Sequence, residues 1–414
     1  MNYMKYILYS LTLLVSTFSQ AQTLDEFILE ASENNPSLLS KYALFEASLQ
    51  RVAQANSLPD PILSFGYFIS PVETKLGPQK AKLSLSQMFP WFGVLSLKED
   101  IATQEAQAKY HQFLDAQLAL TYKVKSAWYP IRETQDVILI QMEYLELLET
   151  LKELSTISFK NGKSEMVDVV RVNILISETK TQIELLKSLI IPLKSSLANL
   201  LGRSSGEDIV VSETQYSVTD ELELRYSKTE VLSHPSLMVY EYMYASSTSK
   251  IDLAQKLTKP SIGIGVDYVF VNEITELSIP DNGRDVFMPM LSMNVPIFRK
   301  SYRAAQQESV FLSNSIELAS DSKKNELLSS YDMAHYKLLK SKDLLSLYSE
   351  QIDSSNRAFT LLLASYSNDY SGFEEVLRMK QDLLRFEIAQ KQASTEFFIA
   401  LAQLDYLTSK SISK

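Results

Sequence analysis

Residues 80–93 read KAKLSLSQMFPWFG. Lys80, Lys82, Ser84 and Ser86 take one side of an unbroken alternation, and Ala81, Leu83 and Leu85 take the other. A period of two, with one polar and one apolar face, belongs to a β-strand. The rest of the chain follows another pattern. Its ten glycines stand at 66, 77, 93, 162, 202, 206, 263, 265, 283 and 372. The long gaps between them favour helix, because an interior glycine costs a helix about 1 kcal/mol. They predict helices over 95–158, 164–201, 300–366 and 373–410. The first would run roughly 95 Å at ~1.5 Å per residue, and prolines at 130 and 192 are expected to kink the first two.

The helical stretches repeat each other. Tyr331, Leu338, Leu345, Ile352, Phe359 and Tyr366 recur every seven residues, and subtracting 207 gives Val124, Ile131, Ile138, Leu145, Lys152 and Phe159. Spacing of this kind predicts a coiled-coil seam, closed up by small residues such as Ala127, Ala334, Ser341 and Ser355. The upstream segments repeat as well: NPSL (35–38) answers HPSL (234–237), Pro59 answers Pro260, and LSLSQMFPWF (83–92) answers LSMNVPIF (291–298). The chain therefore reads as a duplicated helix-strand-strand-helix-helix unit. Residues 22–202 form the first copy, 203–233 a connecting segment and 234–414 the second copy.

Each copy supplies two strands, at 62–70 and 80–89 and at 261–271 and 285–295. All are near the ~9–11 residues that cross a bilayer at a tilt. Phe68, Phe89, Trp91, Phe92 and Phe270 crowd their ends, as interfacial aromatics do. Ile262, Ile264, Val266, Tyr268 and Phe270 share one face, while Lys80, Lys82, Ser84 and Asp267 fall on the polar side and read as lumen residues. Four strands cannot close a barrel, since about eight are needed, and lipid does not tolerate an open edge. The barrel must be shared, and composition leaves two or three copies open. Met288 and Met290 share a face and Met293 takes the other; they read as apolar filling of a lipid-facing strand, not as soft-metal ligands.

Several classes of function are excluded or disfavoured. A net charge of −10 argues against nucleic acid. No cysteine is present, which removes disulfides, thiolate sites, a thiol nucleophile and a lipid-bearing cysteine. His111, His234 and His335 lie far apart, and no glycine-rich phosphate loop occurs, so neither a metal site, nor a cofactor, nor catalysis is expected. Lys5, the apolar run from Tyr6 to Phe18 and the small residues before Gln22 read as a signal peptide over 1–21.

The order of elements, the AQANSLPDPILSFG lead-in (53–66), the strand ending LSLSQMFPWFG (83–93) and the F-x-x-G turn followed by DVV (168–170) resemble the TolC family of outer-membrane efflux channels. That resemblance implies a mainly α chain with a small β part, forming a long coiled-coil α-barrel and a β-barrel shared between three chains. It implies an outer-membrane homotrimer in contact with outer-membrane lipid and with a long periplasmic portion. It also implies the role of exit duct in a tripartite efflux or secretion system for small molecules or metal cations. The partners it implies are a periplasmic adaptor (membrane fusion) protein and an inner-membrane pump of the RND type. The LPDP lead-in is most similar to the heavy-metal and cation branch. The family's tunnel entrance carries an aromatic followed nine residues later by an acid, a spacing matched by Phe159 with Asp168 and by Tyr366 with Glu375. Where some members carry a second acid, this chain has Arg171 and Arg378. Gly162 occupies the turn glycine, whereas the equivalent position is Asp369 and Gly372 follows three residues later; these turns are the expected adaptor contacts. The competing reading is a secreted coiled-coil scaffold or adhesin without a pore, which would have no use for paired amphipathic strands.

Overall fold

The computed structural model describes residues 22–204, 209–211, 226–275, 280–367 and 372–410. The signal-peptide reading of 1–21 and the turn position Asp369 lie outside the described residues. The first copy contains α1 (Leu24–Asn34), α2 (Pro36–Ala55), β1 (Ile62–Val72), β2 (Gln79–Phe89), α3 (Val94–Lys160) and α4 (Met166–Leu201). The second contains α5 (Pro235–Lys256), β3 (Ser261–Val271), β4 (Val286–Asn294), α6 (Arg299–Ser367) and α7 (Phe373–Leu407), preceded by a 3-10 turn at Lys228–Ser233. Against the sequence reading, β1 runs two residues further and α7 stops at Leu407 rather than 410. No helix among the described residues is long and apolar enough to cross a membrane.

The compact units do not follow the two sequence copies. One unit comprises Met1–Leu39, Ala116–His234 and Leu327–Lys414; the other comprises Ser40–Asp115 and Pro235–Glu326. The long helices α3 and α6 each contribute residues to both.

In the second unit the four strands form one antiparallel sheet in the order β1-β2-β3-β4. Phe65, Leu83, Tyr268 and Phe287 form one cross-strand row, and Ser64, Ser84, Asp267 and Met288 form the adjacent row on the opposite face. The burial of these faces is inverted relative to a soluble sheet. Ile264, Tyr268 and Phe270 are 56%, 39% and 40% exposed, whereas Asp267 between them is fully covered. Asp267 is charge-paired with Lys82 on the polar face. The expectation for two methionines is corrected here. Met288 lies opposite Asp267 and Met290 opposite Gly265, so both share the polar face of the sheet, and Met293 lies on the apolar face beside Ile262. For Lys80 the register leaves the facing open. Gln79 pairs with Val271 and Ala81 with Phe270, which leaves Lys80 as the extra residue of a bulge, where alternation no longer sets facing.

In the first unit the predicted seam is present with a change of register. In α6, Leu327, Tyr331, Ala334, Leu338 and Ser341 are buried at alternating steps of four and three, as a heptad requires. In α3 the buried stripe runs through Val124, Trp128, Ile131, Thr134, Val137, Gln141, Tyr144, Leu148 and Leu151, with Tyr129 also buried beside Trp128. Three steps of three follow Trp128, so the seam moves off the expected Ile138, Leu145 and Lys152 onto their preceding neighbours; Lys152 is exposed. One four-residue step has shortened to three, so the stripe slips by one residue. The slip coincides with Pro130, which has no N–H to donate, and the Thr134 hydroxyl donates to the Pro130 carbonyl at 2.8 Å.

The amino-terminal helix is clasped to the end of α4. Arg203 donates to both carboxylate oxygens of Glu30, at 2.5 and 2.7 Å, and to the Gln22 side chain at 2.6 Å. These bonds, before the charge itself, hold the Glu30 carboxyl below its ordinary range against the opposing effect of burial. Asn35 donates to the Leu200 carbonyl at 2.8 Å. The close approach is possible because α4 ends on Gly202, at φ 74°, where a Cβ would sit 2.4 Å from the Asn34 carbonyl oxygen. Gly202→Ala is therefore expected to cost at least about 1 kcal/mol from the left-handed backbone alone, seen as a lower thermal midpoint and faster proteolysis at the amino-terminal segment.

Candidate functional site

At one end of the first unit, α3 turns into α4 and α6 into α7. The α3 turn closes as a Schellman motif: Lys163 N–H donates to the Ser158 carbonyl at 2.9 Å and Gly162 N–H to Phe159 at 3.0 Å. Gly162 takes the left-handed conformation this needs, φ 69°. Gly372 does not repeat that role. It is the N-cap of α7 at φ −77°, an ordinary conformation, and its carbonyl accepts from Glu375 N–H at 3.2 Å.

Beneath the turns lies an apolar cluster of Tyr144, Leu148 and Leu151 from α3, Val172 and Ile176 from α4, and Phe373 and Leu377 from α7. Tyr366 packs against it, its ring centroid 5.3 Å from that of Phe373. Burial, followed by the Glu178 charge, pushes the Tyr144 hydroxyl up to about 12. This core fixes the starts of α4 and α7 relative to each other. Above it opens a cleft of about 570 Å³ lined by residues that include Lys163, Glu165, Asp168, Arg171, Tyr366 and Glu374.

The structure redistributes the residues read from sequence. Asp168, Arg171, Tyr366 and Gly372 meet at this cleft, whereas Phe159, Glu375 and Arg378 are not among its lining residues. Tyr366 thus shares a site with Asp168 of the other copy, not with Glu375 nine residues after it. Arg171 does not form its ion pair with the acid three residues before it. Its Nη1 lies 2.7 Å from Glu374 Oε2, joining α4 to α7. Glu374 was missed because the repeat aligns Asp168 with Glu375, and an internal alignment does not say which residues face across two helices. The pair is 43% and 69% exposed on its two sides, so its net contribution is about 0–1 kcal/mol. Asp168 is more deeply set. Burial raises its carboxyl above the ordinary value; Arg171 opposes this, and Glu165 and Glu374 add to it.

In the second unit, Lys82, Ser84 and Asp267 are brought together on the polar face of the sheet, with Ser84 directly opposite Asp267. The arrangement offers no nucleophile paired with a base. Among the described residues no cluster of three or more histidine, aspartate or glutamate side chains is placed to hold a metal.

Comparison with known proteins agrees with this architecture. No protein-family model matches the chain. A stretch of 221 residues, 51% of the chain, is 26% identical to Nodulation protein T of Rhizobium leguminosarum bv. trifolii, and the match spans 47% of that relative, about half its length. The solved structure of the outer membrane protein VceC from Vibrio cholerae superposes with a TM-score of 0.75 at 14% identity, covering 93% of this chain and 96% of that one. The open state of the Neisseria gonorrhoeae MtrE outer membrane channel gives 0.74 at 18% identity, over 93% and 88%. CusC, described for its transmembrane channel formation, gives 0.76 at 14% identity, over 93% and 91%. The chain has the fold of these outer-membrane channels, the one the TolC-family resemblance implies. Scores between 0.74 and 0.76 do not single out a branch.

The raised carboxyl of Asp168 has a consequence for pH. The folded chain binds this proton more readily than the unfolded chain does, so the group's contribution to stability falls as pH climbs through the interval above the ordinary aspartate value. Asp168→Asn is expected to raise the thermal midpoint at pH 7, by at most about 2 °C, and to leave it unchanged near pH 4. Midpoints of both proteins measured across that range check the sign.

Proposed function

We propose that copies of this chain, three in number, close their sheets into one β-barrel in the outer membrane and act as the exit duct of a tripartite efflux system. The observation that carries this reading is the sheet itself: its apolar face is exposed, its one aspartate, Asp267, is covered on the other face, and β1 and β4 are left as open edges. In water such a sheet exposes Phe65, Tyr67, Ile69, Leu85 and Leu291 to no benefit; in a bilayer the same face is the favourable one. Three copies supply twelve strands and remove every edge. The long helices occupy the periplasm. There they meet an adaptor at the α3–α4 and α6–α7 turns and receive cargo from an inner-membrane pump. The duct is passive and needs neither catalysis nor a cofactor.

Within this reading the cleft at the helix turns is the periplasmic gate. Asp168, Arg171 and Glu374 are its charges, Tyr366 its aromatic wall, and Phe159, Glu375 and Arg378 flank it. What supports the assignment is that Arg171 bridges two helices through one exposed ion pair. Such a pair is cheap to break once, yet its effect sums over three copies.

Two outcomes test the reading. The full chain is expected to fractionate with the outer membrane as a heat-modifiable trimer that conducts in planar lipid. Leu83→Arg, on the apolar face, costs about 2–4 kcal/mol per copy at the bilayer midplane and should prevent assembly. Ser84→Arg, one residue on, should assemble and alter conductance. A soluble monomer recovered without detergent, or equal behaviour of the two variants, rejects the proposal. For the gate, Arg171→Glu combined with Arg378→Glu sets like charges against Glu374 and Asp168. It should raise resting conductance with trimer yield unchanged, and unchanged conductance in a well-assembled trimer returns these residues to solvated helix starts.

A further inference from the structure

We infer that the helix–strand junctions of the second copy form a binding surface for the anionic phospholipid headgroups of the periplasm-facing leaflet. This rests on the outer-membrane reading above. Register puts the two junctions side by side: Ser261 at the start of β3 pairs with Asn294 at the end of β4, and Phe89 at the end of β2 pairs with Ile262. The residues entering β3 (253–260, LAQKLTKP) and leaving β4 (295–307, VPIFRKSYRAAQQ) carry five bases and no acid. The bases are Lys256, Lys259, Arg299, Lys300 and Arg303. The loops at the other end of the sheet, 73–78 and 272–285, carry five acids and two bases. The two ends of the sheet are thus opposite in sign, in a chain whose net charge is −10.

Intrachain structure does not account for these cations. Lys259, Arg299, Lys300 and Arg303 are exposed, and among the described residues none of the five forms an ion pair. Arg299 and Lys300 open α6, whose first turn has no acidic residue. Cations at that end oppose the helix dipole and weaken the helix. Duplication does not account for them either, because the first-copy segment matching 295–307, FPWFGVLSLKEDI (89–101), carries one base and two acids. Lys256 turns back across the first-copy junction, its ammonium 3.5 Å from the Phe92 carbonyl oxygen.

The same junctions expose apolar side chains. Phe92, Ile297 and Phe298 are 80%, 75% and 83% exposed, and Trp91 lies edge-on to Phe92 at 5.8 Å. Aromatic groups at headgroup depth, backed by cations unpaired within the protein, suit a surface of phosphate-bearing lipids. Charge complementarity selects the anionic lipid over the zwitterionic one, and continuity with the exposed strand face places the contact at the membrane boundary.

Trp91 is a built-in reporter. The other tryptophan, Trp128, is fully buried among helices and gives a constant background. The assembled full-length protein is reconstituted in phosphatidylcholine vesicles containing brominated phosphatidylglycerol or brominated phosphatidylcholine at equal mole fraction, and tryptophan quenching is compared. The anionic lipid should bind at the Trp91 site about threefold or more in preference to the zwitterionic one, falling toward equality at high salt. Replacing Lys259, Arg299, Lys300 and Arg303 by glutamine should bring the ratio to about one. Replacing Lys152, Lys180, Lys187 and Lys194, which removes the same charge elsewhere, should leave it unchanged. Equal quenching by both lipids in the unaltered protein, or a ratio lowered equally by the two charge removals, overturns the proposal alone. Quenching by neither lipid overturns the membrane reading and this surface with it.

Discussion

A backbone N–H or C=O that enters hydrocarbon must find its partner inside the protein, because the solvent offers none. The four-stranded sheet meets that condition for its two inner strands and leaves one row of donors and acceptors open on β1 and another on β4. Everything else about the chain is consistent with resolving those two rows through further copies of itself. The outer face is apolar, and the other face holds the one strand aspartate, charge-paired with Lys82. Glycines at 263 and 265 let neighbouring side chains lie close against β3, as Met88 does over Gly263. A scaffold or adhesin has no need of this arrangement, and a membrane duct does.

The helices solve a separate problem. A seam with a period of seven residues buries one stripe and leaves other apolar residues on the helix surface. Ile174, Leu185 and Ile191 on α4 and Leu361 on α6 are among the exposed ones. In the proposed assembly, coiled-coil contact with neighbouring copies would cover such residues. The two copies are not equivalent in this respect. The uninterrupted α6 keeps its register, whereas α3 slips by one residue after Ile131, where Pro130 removes a backbone donor. Duplication followed by such local divergence yields two helix pairs of similar length, whose second helices start alike, on the extended N-caps Glu165 and Gly372.

The two helix starts meet at the cleft. The charges there come from both copies, and the ion pair across it joins α4 to α7 instead of neighbouring turns of one helix. Such a contact responds to any relative movement of the two helices. The buried seam just below changes little under the same movement, because its side chains are interlocked. In the proposed gate, a weak, exposed contact over a rigid core would allow opening without unfolding.

Much of this was legible in the residues. Strand alternation at 80–86, the glycine gaps, the duplication at an offset of 207 and the outward face of β3 follow from covalent periodicity, which each residue carries locally. The facing of Lys80, Met288 and Met290, the seam of α3 and the partner of Arg171 did not. Each depends on which residue of a second element stands opposite: a bulge at Gln79–Ala81, a pairing of β3 with β4, a helix stripe that slips near a proline, a glutamate on α7. Sequence by itself determined the kind of element and the polarity of its faces, because these are set by the spacing of side chains along one backbone. Only tertiary structure decided which charged groups meet, because register between separate segments is fixed by packing, and packing is a property of pairs that no single segment contains.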